Sequence, residues 1–303
     1  MPEIAVLGPG GVGGFVAATL ARDGNDVVVV AREPTAGLLS QRGIAVRSVA
    51  LGAEFVARPV IAAELTERAE FLLVATKAGG LQAALRRIGA DPGIVVPLLN
   101  GIEHLELLRN RFGEHKVAAG VIRIESDRPA PAQIVQTSPS VRVDLAADDR
   151  SLQGRLQSLA SILRRAGIPA RVEAGERQVM WSKLARLNAL SLTTSASDHP
   201  IGFVRSDPRW RSALEGAVHE TVRVANADGA SLDPADTLAE LDGAHAELGS
   251  SMRRDIAAGR ETELDALAGA VLRAAARYRL RCPTVAWLTE RVAARAGGAV
   301  VRG

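Results

Sequence analysis

Short runs of apolar residues alternate with amphipathic stretches along the first part of the chain. Runs at residues 3–7, 26–31, 71–76 and 93–99 have the length and branched aliphatic content of buried strands, and helical patterns follow them. Because strands that alternate with helices assemble into parallel sheets, this part of the sequence predicts an α/β domain.

The next segment favours strands that are connected by turns. Apolar runs at residues 117–125, 133–137 and 141–145 are separated by turn residues, which indicates an antiparallel edge beside the parallel sheet. We expect a helix over about 151–166 and a last strand near 170–173 to complete this domain.

Beyond Gly175 the spacing of the apolar residues is almost wholly helical. The predicted helices cover residues 176–196, 207–228, 234–247, 250–259, 262–280 and 284–295. Pro208, Pro234 and Pro283 lie near the starts of three of them, where proline is tolerated. A second, all-helical domain is therefore expected.

The first predicted strand leads into a glycine-rich segment, GPGGVGG, that opens a helix. A strand, a GxGxxG pattern, a helix and a second strand follow one another at the spacing of a dinucleotide-binding unit. Gly8 permits the tight turn, Gly10 lets the backbone approach a pyrophosphate, and Gly13 lets the helix pack against the strand. With Gly11 and Val12 they form the predicted cofactor loop at a helix N-terminus. A glycine-rich turn without a ligand is the alternative.

The end of the second predicted strand bears on the choice of cofactor. The strand ends at Ala31-Arg32, and a guanidinium at this place suits the 2′-phosphate of NADP. Glu33 follows and could instead serve NAD, and Arg32 could also be a solvated loop residue. The sequence favours NADP(H) as the cofactor.

The composition argues against several classes of protein. Aromatic residues make up 3% of the 303 residues and the net charge is +3, so a nucleic-acid partner is poorly supported. The single cysteine, Cys282, excludes an internal disulfide, and no metal is predicted because the histidines show no ligand spacing. The uncharged stretch at 4–21 fits a strand, loop and helix better than a membrane span. A cytoplasmic protein with a small-molecule substrate is expected, and a homodimer is left open.

Lysine is rare in this chain, and its positions are therefore informative. Of the 37 basic residues only Lys77, Lys116 and Lys183 are lysines. Arginine keeps its proton in proteins, whereas a partly desolvated lysine can release it. Each of the three is therefore a better candidate for acid–base chemistry than a lysine usually is, although chance could also leave three.

Four motifs in order resemble those of the ketopantoate reductase (2-dehydropantoate 2-reductase) family. They are Lys77 after FLLVAT, Asn100-Gly101 after IVVPLL, the segment WSKLARLNALSLTTSAS, and the segment SSMRRDIAAGRETELDALAG. The resemblance covers nearly the whole chain. It implies a Rossmann-type NADP-binding domain, expected over residues 1–174, and a helical catalytic and substrate domain over 175–303. It also implies NADPH-dependent reduction of ketopantoate to pantoate in pantothenate biosynthesis.

The family's catalytic pair is carried over by motif. Its lysine, at the start of a K-L-x-x-N segment, matches Lys183, and its glutamate in a T-E-[IL]-D element matches Glu263. Reduction of a ketone needs a proton at the developing alkoxide, which a lysine can supply, while a carboxylate can orient the lysine or a substrate hydroxyl. A solvated lysine and a first-turn helix acid are the alternatives, with Glu261 and Asp265 as rivals of Glu263.

The remaining family positions concern binding. Lys77 and Asn100 match cofactor-binding positions, and Asn100 also matches a substrate contact. Ser251 and Asp255 match substrate-binding positions, although Ser251 could equally be a helix N-cap. Asn100-Gly101 would be a good turn in any protein.

The helix that carries Lys183 departs from the family pattern. Family members that reduce ketopantoate have asparagines four and eight residues after the lysine, where this chain has Leu187 and Ser191. Asn188 is one residue late, about 100° around the helix. The simplest interpretation is that these polar contacts to the substrate have been lost. The alternative is that Asn188 and Ser191 replace them, and both are kept as candidate substrate-binding residues.

Three functions therefore remain open. The first is reduction of ketopantoate, and the second is reduction of another 2-oxo acid or ketone with a more apolar tail. The third is an NADP-binding sensor without turnover, which the retained Lys183 and Glu263 disfavour.

Overall fold

The structure is a computed structural model that describes residues 2–297. The chain folds into two units. One comprises the residues up to Leu99 together with His104–Val179, and the other comprises Asn100–Glu103 together with the chain from Met180 onward. The loop Asn100–Glu103 thus belongs to the second unit although both of its neighbours in sequence belong to the first.

The first unit contains twelve strands and five complete helices among its described residues. The strands are β1 Ile4–Leu7, β2 Val27–Val30, β3 Ile44–Ser48, β4 Ala53–Ala57, β5 Val60–Ala62, β6 Phe71–Val74, β7 Ile94–Pro97, β8 Ala119–Arg123, β9 Ser126–Ala130, β10 Gln133–Gln136, β11 Arg142–Ala146 and β12 Ala170–Val172. The helices are α1 Gly11–Arg22, α2 Glu33–Arg42, α3 Leu81–Leu85, α4 His104–Phe112 and α5 Gln153–Arg165.

A parallel five-stranded sheet in the order β5-β2-β1-β6-β7 forms the centre of the first unit. Its middle strands β1, β6 and β7 are buried along their whole length, as is usual for a parallel sheet whose faces are covered. A three-stranded sheet, β12-β11-β8, adjoins it through a single parallel bridge between Val95 and Val117.

A four-stranded mixed sheet, β4-β3-β10-β9, packs on α1. The predicted antiparallel edge is correct for β8 and β11, which pair antiparallel. Strand β10 also pairs antiparallel with β9, but its other neighbour, β3, is parallel to it, and this sheet is separate from the five-stranded one. Sequence periodicity did not indicate β3, β4, β5 or β9, since these strands are short and most are half exposed.

The second unit is helical apart from its connections. Its helices are α6 Glu176–Ser197, of which the first turn belongs to the first unit, α7 Ile201–Ser206, α8 Pro208–Ala227, α9 Pro234–Asp242, α10 Ser251–Ala257, α11 Ala270–Arg277 and α12 Pro283–Arg295. A π-helical turn, Asp265–Gly269, leads directly into α11. The predicted helix over 262–280 is therefore found as a continuous helical segment that begins at Leu264, includes the π-helical turn and ends at Arg277, while the one over 234–247 ends early at Asp242.

The two units have separate cores. Phe15, Leu73 and Leu145 are among the buried residues of the first, and Trp181, Leu214 and Leu288 are among those of the second. The predicted fold class, a Rossmann-type α/β domain followed by an all-helical domain, is confirmed. No helix among the described residues is long and apolar enough to cross a membrane.

Candidate active site

The glycine-rich loop joins β1 to α1 as the sequence predicts. Gly8 has φ +94°, a left-handed conformation that favours glycine. A Cβ on Gly13 would lie 2.1 Å from the carbonyl oxygen of Gly8 and 2.9 Å from Cβ of Ala75. The helix can therefore approach the strands this closely only because residue 13 has no side chain.

Gly10 differs from Gly13 in its surroundings. It is the N-cap of α1, its φ of −76° is ordinary, and a Cβ there would meet no atom of the described chain within 4 Å. Neither the fold nor the backbone therefore demands glycine at this position. No side chain caps this helix start and no acidic residue lies in its first turn, so the N–H groups at Gly11, Val12 and Gly13 suit an anion. The loop thus fits the pyrophosphate of a dinucleotide.

At position 11, glycine is required by packing against β9. A Cβ there would lie 2.5 Å from the carbonyl oxygen of Ser126 in β9, and Ser126 Oγ donates a hydrogen bond of 2.8 Å to the Gly11 carbonyl. Val12 is half buried and packs against the core of the first unit. Contact of these two residues with a cofactor stays a prediction.

Arg32 and Lys77 follow the two strands that flank β1. Arg32 comes after β2 and is the N-cap of α2, while Lys77 comes after β6 and precedes a short 3-10 turn. Both side chains are exposed. Within residues 2–297, no hydrogen bond or ion pair engages the Arg32 guanidinium. Because the strands are parallel and adjacent, both residues lie at the sheet edge that carries the glycine loop.

Asn100 and Glu263 meet within the second unit. Asn100 Nδ2 donates a hydrogen bond of 2.9 Å to Glu263 Oε2, and both side chains are half buried. Glu263 precedes the helical segment that begins at Leu264, and its carbonyl accepts from the N–H of Leu267. Two residues with predicted roles in binding and catalysis are thus brought into direct contact.

The rest of the loop Asn100–Glu103 is fixed by the same region of the second unit. Gly101 has φ +86°, and a Cβ there would lie 2.4 Å from the carbonyl oxygen of Ala266 in the π-helical turn. Ile102 packs against the helical core, and Glu103 forms an ion pair with Arg273. π-Helical turns are rare and are frequent at functional sites.

Lys183 lies on α6 beside a well-anchored turn. Its side chain is half buried, while Trp181 and Leu184, its near neighbours in sequence, are buried. Trp181 Nε1 donates to Asp228 Oδ2 at 2.8 Å, and the other oxygen of Asp228 accepts from the hydroxyl of Tyr278 at 2.6 Å. This packing fixes the helical turn from which Lys183 projects.

Asn188 and Ser191 are buried in the helical unit. Asn188 is 0% exposed, and its Nδ2 donates to Thr221 Oγ1 on α8 at 3.1 Å. Ser191 is 1% exposed. Asn188 Oδ1 and Ser191 Oγ have no hydrogen-bond partner within the described chain. Leu187, by contrast, is half buried at the edge of the core. Substrate binding by Asn188 and Ser191 stays a prediction, which their burial disfavours.

The suggestion that Ser251 caps a helix is wrong. The N-cap of α10 is Ser250, whose Oγ accepts from the N–H of Arg253 at 3.1 Å, while Ser251 is the exposed first residue of the helix. Asp255 is buried, and its Oδ1 accepts from Arg260 Nε at 2.8 Å. Substrate contact by Ser251 and Asp255 stays a prediction. The described residues hold no cluster of three or more His, Cys, Asp or Glu that could bind a metal.

Arg273 was not singled out by the sequence. It lies eight residues after Asp265 and four after Gly269, and this i, i+4, i+8 spacing on a predicted helix is the signal that could have identified it. Ser126 gave no comparable signal, because its contact with Gly11 joins residues that are 115 positions apart.

A parallel sheet with a glycine loop at the N-terminus of its first helix is the architecture of dinucleotide-binding enzymes, here followed by a helical unit. The chain belongs to the ketopantoate reductase family. Residues 4–149 match the model of ketopantoate reductase PanE/ApbA, and residues 177–296 match that of its C-terminal domain. The resemblance found in the sequence and the assignment to the oxidoreductases are confirmed.

Curated relatives cover almost the whole chain. An uncharacterised oxidoreductase of Bacillus subtilis, YkpB, is 26% identical over 291 residues, which are 93% of this chain and 95% of the relative. The 2-dehydropantoate 2-reductase of Halobacterium salinarum is 27% identical over 297 residues, 96% of this chain and 97% of the relative.

Solved structures share the fold. The structure of D-mandelate dehydrogenase with NADH and anilino(oxo)acetate has a TM-score of 0.89 at 21% identity and covers 97% of this chain and 98% of its own. The 2-dehydropantoate 2-reductase from Geobacter metallireducens has a TM-score of 0.87 at 24% identity, with 95% and 98% covered.

Proposed function

We propose that this protein uses NADPH to reduce a 2-oxo acid to the corresponding 2-hydroxy acid, and that 2-dehydropantoate is the first candidate substrate. The contact of Asn100 with Glu263, in the same unit as the half-buried Lys183, is the observation that carries the proposal. Family membership and the name of the relative from Halobacterium salinarum support the choice of substrate.

The cofactor assignment rests on the first unit. The uncapped start of α1 would receive the pyrophosphate, and the space beside Gly10 would let it approach the backbone. Arg32, exposed and without a protein partner in the described chain, would bind a 2′-phosphate, which only NADPH carries. Lys77 would add a second positive charge at the same sheet edge.

The helical unit would supply the acid. When bound, NADPH supplies the hydride that reaches the carbonyl carbon of the substrate. The ammonium of Lys183 would donate a proton to the carbonyl oxygen, so that the product is a neutral alcohol beside an intact carboxylate. Glu263, held by Asn100, would orient the substrate or the lysine. Ser251 and Asp255 would contribute polar contacts to the substrate.

A second candidate substrate is a 2-oxo acid with an apolar tail. Leu187 stands one turn after Lys183, and the neighbouring polar groups of Asn188 and Ser191 are buried. A substrate hydroxyl facing this part of α6 would therefore lack a partner, at a cost in transition-state binding. The structural likeness to a mandelate dehydrogenase is consistent with this alternative.

The test compares matched substrates with the purified protein. NADPH oxidation is measured with 2-dehydropantoate, with its deoxy analogue that has a methyl in place of the hydroxymethyl group, and with phenylglyoxylate. A higher kcat/KM for 2-dehydropantoate than for the analogue supports the first candidate, and the reverse order supports the second. Absence of NADPH oxidation with all 2-oxo acids would refute the proposed function.

A further inference from the structure

We propose that Arg273 is a positioning residue of the candidate active site, which holds the loop Asn100–Glu103 against the turn that follows Glu263. It would act through Asn100 and Glu263 without touching substrate or cofactor itself. The inference deepens the proposed function and rests on it. Nothing in the family motifs found in the sequence assigns a role to Arg273.

The guanidinium of Arg273 bridges two carboxylates. Its Nε donates to Glu103 Oε1 at 2.8 Å and its Nη2 to Glu103 Oε2 at 2.7 Å, which makes a bidentate pair. Its Nη1 donates to Asp265 Oδ1 at 2.7 Å. The hydrogen bonds that Arg273 donates, those to Glu103 first and that to Asp265 second, hold the pKa of Arg273 above its usual range. Two-point contacts fix the orientation of a planar guanidinium better than a single contact does.

Each of the two carboxylates lies close in sequence to one member of the pair Asn100 and Glu263. Glu103 follows Asn100 by three residues, and Asp265 follows Glu263 by two. The loop is already packed through Gly101 and Ile102. Arg273 adds a side-chain contact that joins the two main chains directly, close to the side chains that take part in the site.

Two glycines make room for this arrangement. A Cβ on Gly269 would lie 2.3 Å from Asp265 Oδ1 and 2.9 Å from Arg273 Nη1. The φ of Gly269 is −58°, so the backbone does not require glycine there, and glycine within a helix is unfavourable. Space for the ion pair is the reason that the structure offers. Gly101 similarly permits the close approach to Ala266.

The solvent exposure of the ion pairs between Arg273, Glu103 and Asp265 indicates that they act locally, on the candidate active site, more than on the stability of the whole protein. The side chains of Arg273, Glu103 and Asp265 are 39%, 45% and 61% exposed, and ion pairs so open to water contribute little to global stability. Their effect should appear in the placement of Asn100 and Glu263. Displacing a catalytic group by about 1 Å can cost on the order of 100-fold in rate.

The test compares Arg273→Gln with Arg211→Gln in the full-length protein. Arg211 also bridges two carboxylates of the second unit, Glu215 and Asp242, and has no contact with Asn100 or Glu263. Hydrogen exchange is measured over residues 100–104 and 263–267, and kcat and KM are measured with the best substrate. We expect Arg273→Gln to speed exchange in both segments and to lower kcat about tenfold or more. Arg211→Gln should leave both quantities unchanged.

A background variant separates positioning from general damage. In Glu263→Gln the further change Arg273→Gln should lower kcat less than about threefold, because residues that act through one another are not additive. Unchanged exchange in Arg273→Gln, or faster exchange with an unchanged kcat, would overturn the proposal. If the wild-type protein oxidised no NADPH with any 2-oxo acid, the proposed function would fail, and the exchange comparison would still decide whether Arg273 holds the loop.

Discussion

Asn100 and Glu263 are 163 positions apart in the sequence and share a hydrogen bond of 2.9 Å between Nδ2 and Oε2. This hydrogen bond orients the carboxylate of Glu263, and it also fixes the direction of the Asn100 amide, which follows β7. This pair ties the asparagine of an N-G turn to the glutamate of a T-E-L-D element.

The coupling of this pair can be measured by a double-mutant cycle. Asn100→Ala and Glu263→Ala should each lower kcat/KM, and together they should lower it by less than the product of the two effects. Coupling energies of contacting residues are about 0.5–3 kcal/mol. Strictly multiplicative effects on kcat/KM would contradict a shared role.

Lys183→Arg should remove most of the turnover while the charge and the helix are retained. Because arginine does not release its proton at accessible pH, kcat should fall at least about 100-fold if Lys183 is the proton donor. Lys116→Arg is the matched control, since Lys116 forms an ion pair with Asp91 in the first unit. Near-normal kcat in Lys183→Arg would show that another group donates the proton.

Arg32→Ala should discriminate between the two nicotinamide cofactors. A hydrogen bond to a charged group contributes about 1.5–3 kcal/mol, so the Kd for NADPH should rise about tenfold to 100-fold, with little change for NADH. Fluorescence titration measures both constants. Arg42→Ala, at the exposed end of the same helix, should change neither. An equal loss for both cofactors in Arg32→Ala would show that the guanidinium does not bind the 2′-phosphate.

Gly10→Ala and Gly13→Ala separate binding from folding within one loop. Alanine at 13 would clash with the Gly8 carbonyl, and overpacking of this kind costs about 1–3 kcal/mol of stability. Alanine at 10 meets no atom of the described chain, so the Tm of thermal unfolding should be unchanged or slightly raised. The affinity for the cofactor should fall. If Gly10→Ala bound NADPH normally, the pyrophosphate would not approach the backbone there.

Leu187→Asn tests the origin of substrate preference. A new hydrogen bond to a substrate hydroxyl contributes about 0.5–1.5 kcal/mol, which corresponds to roughly tenfold in kcat/KM at its upper end. The ratio of kcat/KM for 2-dehydropantoate to that for its deoxy analogue should rise by this amount. The analogue is the internal control, because it differs only in the hydroxyl. An unchanged ratio would mean that residue 187 does not face that group.

Local patterns in the sequence were sufficient to predict the main secondary structure, the fold class and the family of this protein. The strand, glycine loop and helix around Gly8 and Gly13 could be predicted because a βαβ unit depends on neighbouring residues and on two fixed periodicities. The helix of Lys183 could be predicted for the same reason. The order of four motifs then gave the family, which the family models confirm.

Only the tertiary structure shows which side chains are buried, which residue caps a helix and which distant residues are in contact. Asn188 and Leu187 are adjacent in sequence, but only packing against Thr221 shows that the amide is buried and the leucine is not. Ser250, and not Ser251, caps α10 because the backbone turns one residue earlier. The contact of Arg273 with Glu103 crosses 170 positions, and no local periodicity records a pairing that forms only when the chain has folded.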